Sequence, residues 1–370
     1  MTDRIARIVA ELPQLTSVTG IEEEAEQRLR NGDAAFPADL GLALAGRIDP
    51  TGRVWQYRSV FDRMLRLLAT TPGAGTVHQA LRLLAAEPSA GRRAERLTAS
   101  LLAGSRRPAE LAAVFSGPAP DELRACLVHE LLLRGVDTAA VPGLAAWATG
   151  PHVAHHPLGA LPLTPSPLEA LADLPGHSTG GSSRPLPYGQ SWGRKLTARH
   201  DGELPAATEC TAPETAAELG RAVANWAEES NGRIEARVFE FAAPLPAGAV
   251  AAALLALGLD SLAGAGPRAL TVTTCGPAEA WSLLFAAAAT GGAYNHGAHG
   301  AYGRLAARQS LGALAGADAG AGLEPRADAC HWFAFDAATP WFDHVAWDLG
   351  LAALSPDGRR LAVLAATDTD

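Results

Sequence analysis

Eight prolines fall between residues 151 and 187, at Pro151, Pro157, Pro162, Pro165, Pro167, Pro175, Pro185 and Pro187. Proline lacks the backbone N–H and clashes with the preceding helical turn, so no long helix survives here. The stretch separates two parts of a 370-residue chain whose patterns differ. Domains commonly hold about 100–200 residues, so two domains are the default expectation. The expected division is an all-helical domain over 1–149, a Pro/Gly-rich connecting segment over 150–210 and an α+β domain over 211–370. Gly180, Gly181, Ser182 and Ser183 loosen the connecting segment, whereas Trp147, Tyr188 and Trp192 give it surface to pack.

Before the prolines the apolar residues recur at helical spacing. Tyr57, Val60, Phe61, Met64, Leu65 and Leu68 share one helix face, and Leu123, Cys126, Leu127 and Leu131 share another that ends at Gly135. Thr19 with Glu22, and Thr211 with Glu214, have capping-box spacing. No repeat of fixed period emerges, so short antiparallel helices predict a bundle or an irregular α-solenoid.

After the prolines, helix and strand patterns mix. Ile234, Ala236 and Val238 alternate with Glu235 and Arg237, then the apolar phase passes to Phe239 and Phe241, which predicts a strand with a bulge. A helix is expected near 246–258, and Leu270 to Thr274 read as a strand. Pro277 opens a helix carrying Trp281, Leu284 and Phe285. His331, Phe333 and Phe335 alternate as a strand. Two further strands flank Ser355 to Gly358, a turn sequence. The fold expected is α+β: a helical part followed by a small mixed sheet with packed helices.

The apolar fraction of 48% fits a chain with a real core. A net charge of −9 disfavours phosphate-backbone binding, so nucleic acid is an unlikely partner on charge. Arg92, Arg93, Arg96, Arg106 and Arg107 form the one dense basic run, and a solvated helix face accounts for it. Cys126, Cys210, Cys275 and Cys330 are widely spaced, with no CxxC pair and no disulfide framework. Lys195 is the only lysine, and no nucleotide-binding motif includes it. The N-terminus has no apolar signal region and no apolar run reaches about 20 residues, so a cytoplasmic location without membrane insertion is expected.

The densest chemistry lies at 291–304. Gly291, Gly292, Gly297, Gly300 and Gly303 alternate there with Tyr294, Asn295, His296, His299, Tyr302 and Arg304. Glycines let the backbone take conformations closed to other residues, and the polar side chains supply donors, acceptors and two imidazoles. The loop is expected to hold a ligand through Tyr294, Asn295, Tyr302 and Arg304. Arg304 opening a helix would anchor an anion. His296 and His299 are the candidate bases of a hydrolase or lyase, with Asp336 and Asp343 as candidate orienting carboxylates. They are also the candidate pair for a metal, with Asp336, Asp343 or His344 as third ligand; the usual cofactor signatures are absent. Against the enzyme stands a binding or interaction protein, with the helical part recruiting a protein partner and the α+β part holding a small anionic ligand.

Weaker motifs surround these. Gly189, Ser191 and Gly193 match G-x-S-x-G, but the proline-rich approach cannot be a core strand. Gly180-Gly-Ser-Ser-Arg184 could cradle an anion through backbone amides, but it lacks the lysine and helix context of a P-loop. His152, His155 and His156 cluster beside Pro151 and Pro157, where a polar loop accounts for them.

The stretch Pro175 to Gly189, the His296/His299 loop and the tail from Asp348 to Asp370 together resemble an uncharacterised family from high-GC actinobacteria. The resemblance spans most of 140–370. It implies a bacterial cytoplasmic protein and supplies no activity and no catalytic residues.

Overall fold

A computed structural model describes residues 2–48, 51–86, 91–183, 193–317, 319–320, 322–342, 344 and 347–369. The chain forms two compact units, Met1–Gly159 with Pro175–Ser183, and Ala160–Leu174 with Arg184–Asp370. The proline-rich segment is thus shared between the units.

The first unit holds α1 (Thr2–Glu11), α2 (Thr19–Arg30), α3 (Ala35–Ala45), α4 (Trp55–Thr70), α5 (Ala74–Ala86), α6 (Gly91–Ser105), α7 (Ala112–Ser116), α8 (Asp121–Leu133) and α9 (Leu144–Ala148). The stripe from Tyr57 to Leu68 is buried as its spacing requires, in a helix that packs on α3 and α6. Helix α2 starts from Val18 without a side-chain cap, so the Thr19 box does not form. The exposed carbonyls that end α4 are met by Arg106, whose buried guanidinium donates to Leu68 O, to Ala69 O at 2.9 Å and to Thr71 O. Burial lowers its pKa to about 10. A short hairpin, β1 (Gly176–His177) with β2 (Ser182–Ser183), belongs to this unit.

The second unit is built on a seven-stranded sheet. Its strands are β3 (Lys195–Leu196), β4 (Ala207–Glu209), β5 (Arg233–Phe241), β6 (Leu270–Cys275), β7 (His331–Ala337), β8 (Trp347–Leu354) and β9 (Arg360–Asp368). Their order is β3-β6-β7-β8-β9-β5-β4, and every described pair is antiparallel. The expected mixed sheet is therefore corrected to an antiparallel one. The turn between β8 and β9 forms as its sequence predicts: Gly358 takes φ +70°, and the Ser355 hydroxyl accepts from Arg360 N at 2.9 Å.

Helices cover both faces. Phe239, Phe241, Val272, Phe333, Phe335, Leu354 and Val363 pack on one side with α12 (Val250–Ala256) and the turn Asp260–Leu262. On the other side lie α10 (Pro213–Leu219), α11 (Ala224–Glu229), α13 (Pro277–Thr290) and α14 (His299–Ala315); α15 (Leu323–Ala329) packs on α14. This explains the phase change read in β5. Its register with β9 runs unbroken from Arg233↔Thr367 to Glu240↔Arg360, so no bulge interrupts that pair. Glu235 and Arg237 share a face with Phe239 and Phe241 by strand alternation. Glu235 is buried there because its carboxylate caps Asp260–Leu262, accepting from Asp260 N at 2.8 Å and Ser261 N at 2.9 Å.

Candidate functional site

The loop at 291–298 joins two helices packed side by side. Pro277 occupies the first turn of α13, and Gly291 ends it at φ +80°. Gly303 of α14 lies against Ala289 of α13, where a Cβ would stand 2.8 Å from the alanine methyl. That contact sets the close approach of the helices, and the loop must turn within it.

Asn295 holds the turn from inside. It is 4% exposed. Its Oδ1 accepts from Gly292 N at 2.9 Å and from Asn225 Nδ2 at 3.1 Å, and its Nδ2 donates to Asn225 O at 2.9 Å. Asp368, at the end of β9, fixes the next position. It accepts from Ala293 N at 2.7 Å and from the Ser230 hydroxyl at 2.8 Å. Buried backbone amides need such partners, so these residues satisfy the loop's own chain.

The other polar residues are more exposed. Tyr294 is 61% exposed, His296 is exposed, and His299 and Tyr302 are half-buried. His299 takes φ +60°, a left-handed conformation that costs a non-glycine residue about 1–3 kcal/mol. Only two described non-glycine residues have a positive φ, and both are histidines, His299 and His344.

Arg304 is placed differently from its expected role. It is fully buried, and its guanidinium is bidentate to Glu169, Nε to Oε1 at 2.8 Å and Nη2 to Oε2 at 2.9 Å. It also donates to Pro162 O at 3.0 Å and Thr164 O at 3.2 Å. The carboxylate it anchors is thus one of its own chain. Arg308, one turn further, donates to Glu324 at 2.9 Å and lies 3.5 Å from Glu169. Sequence reading did not single out Glu169, although Ser166 and Glu169 have capping-box spacing and form that box.

The histidine beside Asp336 is His344. Its Nδ1 is 3.6 Å from Asp336 Oδ2, and its Nε2 is 2.9 Å from Ala337 O. Its backbone N donates to Asp348 Oδ2 at 2.8 Å. With both ring nitrogens against acceptors, His344 clasps the β7–β8 connection. Burial raises the pKa of Asp336, with the His344 charge opposing it. Asp343 lies outside the described residues, as do Ser191 and the start of its motif.

The remaining candidates have local partners. The arginine run is divided: Arg96 pairs with Glu122 at 2.7 Å, Arg107 with Glu110 at 2.8 Å, and Arg106 ends α4. His156 is 3.1 Å from Glu122, and His152 packs on Trp147 with ring centroids 4.8 Å apart. The four cysteines are free thiols, and burial pushes Cys275 up to about 12. Among the described residues no three His, Cys, Asp or Glu side chains converge as metal ligands would. No helix among them is long and apolar enough to cross a membrane.

These elements define an α+β protein with a helical unit and a helix-covered antiparallel sheet. The chain belongs to a family of unknown function, DUF6183, whose model matches residues 19–370. The match takes in most of the helical part as well as the 140–370 region. No curated protein and no solved structure matches the chain.

Proposed function

We propose that this is a binding protein whose recognition element is the outer side of the 293–302 loop. The carrying observation is the division of the loop. Asn295 and Asp368 lock its inner side by hydrogen bonds, while Tyr294 and His296 stand exposed on that frame. Binding residues on loops held by a rigid scaffold recognise ligands at low ordering cost. The strained His299 fits such a site. A small anionic ligand suits the two imidazoles beside the N-terminus of α14. With Arg304 committed to Glu169, its expected role as anion anchor, in either the binding or the enzyme reading, loses support. In the same reading the helical unit docks a protein partner, which the 48% exposed Trp55 at the start of α4 favours. A cytoplasmic, bacterial setting belongs to this proposal.

The test is a thermal-shift screen of small carboxylates and phosphates on wild type, Tyr294→Ala and His296→Ala. At least one compound is expected to raise the wild-type Tm and to lose that effect in both variants, whose own Tm stays within about 1 °C of wild type. A ligand response that survives both substitutions undiminished overturns the proposal. His299→Gly relieves the left-handed strain and is expected to raise the unliganded Tm while weakening the ligand response.

A further inference from the structure

The hairpin of the first unit carries a separate cluster. We propose that Ser182 is a nucleophile and His177 its general base, forming an acyl-transfer site for small carboxylic esters. The two residues face each other across the hairpin, His177↔Ser182, and the serine Oγ lies 2.8 Å from His177 Nδ1. The other ring nitrogen, Nε2, lies 2.9 Å from Ser100 Oγ on α6. Ser100 is fully buried, so a rigid helix holds the ring from behind while Ser182 stands in solvent. The tautomer a base requires carries its proton on Nε2, where the Ser100 oxygen is placed to accept it, and leaves Nδ1 to accept from Ser182. Gly104, one turn along α6, lies beside the imidazole; a Cβ there would meet His177 Cδ2 at 3.4 Å.

A cation completes the group. Arg66 Nη1 donates to Ser182 Oγ over 3.1 Å. The serine oxygen thus gives its proton to a base and receives a bond from a guanidinium, and both favour alkoxide character. Arg63, on the same helix, donates to the Thr179 carbonyl within the hairpin and pairs with Glu26 at 3.0 Å, which ties the hairpin to α4 and α2. Nucleophile, base and a third group that orients the base are the parts of a hydrolytic triad.

The chemistry balances without a further reactant. Ser182 Oγ bonds to the ester carbonyl carbon, and its proton passes to His177 Nδ1. The acyl–oxygen bond to the alcohol breaks, and the departing oxygen takes that proton. Water then adds to the acyl-serine, giving a proton to His177, and Ser182 leaves with that proton restored. Ester and water become acid and alcohol. Arg66 lies beside the developing negative charge, and Ser100 is a positioning residue.

The test is labelling of the full chain with a fluorophosphonate, followed by peptide mass spectrometry, and a p-nitrophenyl acetate burst. Label is expected on Ser182, with one p-nitrophenolate released per chain in the burst as the acetyl group stays on the serine. Ser182→Ala abolishes both. His177→Gln, which retains a side chain able to hydrogen-bond, slows labelling by at least about 100-fold. Arg66→Gln slows it at least tenfold. Ser100→Ala slows acylation and Ser100→Thr restores it, which a merely structural role would not produce. Circular dichroism confirms folding of each variant, and His177→Asn provides a second test of the base. The proposal is overturned if folded wild type takes no label at Ser182, or if labelling proceeds at the wild-type rate without the His177 imidazole.

Discussion

At the scale of single residues, Glu169 carries the largest predicted effect. It is nearly buried and stands against two arginines, one fully and one almost fully buried. Removing one partner of such a pair leaves charge in a low-dielectric interior, which typically costs about 3–5 kcal/mol. Glu169→Gln is expected to lower the unfolding free energy by that amount. Glu324→Gln, at a side chain 29% exposed, is expected to cost under about 1 kcal/mol. Equal losses in urea titrations would contradict the burial argument. The sequence showed Arg304 as a notable residue but not what it does. Its partner is 135 positions away, and no local pattern connects a helix start to a turn among prolines. The inward Asn295 and the outward Tyr294 and His296 are neighbours of similar polarity, so only the folded loop separates bracing residues from displayed ones.

At the scale of elements, the α13–α14 connection depends on glycine. At Gly297 a Cβ would stand 2.0 Å from Ala289 O, a backbone atom that cannot swing aside. Gly297→Ala is expected to cost about 1–3 kcal/mol by overpacking. Gly266→Ala, with nothing within 4 Å of the added carbon, should be close to neutral in the same urea titration. If the two variants unfold at the same midpoint, the close approach does not constrain the loop. Helices were the most legible elements, because the Tyr57 to Leu68 stripe and Pro277 before Trp281 state both face and start. β5 was half legible. Its alternation was visible, but two covered faces removed the polar side that alternation relies on, and a change of neighbours looked like a bulge. The capping boxes at Thr19 and Thr211 did not form, while the one at Ser166 did, since cap geometry depends on how the chain enters the turn.

At the scale of the whole molecule, the fold class was readable from the switch of period across the prolines. That strands would pair only antiparallel was not, because strand neighbours separated by helices leave the pairing open. Acid behaviour can be argued at this scale. Glu24 is held below the usual carboxylate range by its hydrogen bond to Arg4, with Arg28 adding to it. A folded pKa below the unfolded one gives stability that is complete above the ordinary glutamate value and lost as pH falls through the lowered one. Arg4→Gln is therefore expected to cost well under about 1 kcal/mol near pH 7 for this partly exposed pair, and its difference from wild type is expected to shrink at acid pH as Glu24 is protonated. A variant equally destabilised at both pH values would assign the loss to packing.

The sheet's outline has a consequence for how copies of the chain can meet. Among the described residues its margins are β3 and β4, strands of two and three residues, while the eight- and nine-residue strands lie inside. Unpaired strand backbone is a template on which another chain can continue a sheet. Here the outermost strands offer a neighbouring copy little backbone, and one of them carries Glu209 on its exposed rim. The ordering of the strands therefore discourages fibrillar growth from the native state, independently of what the protein binds.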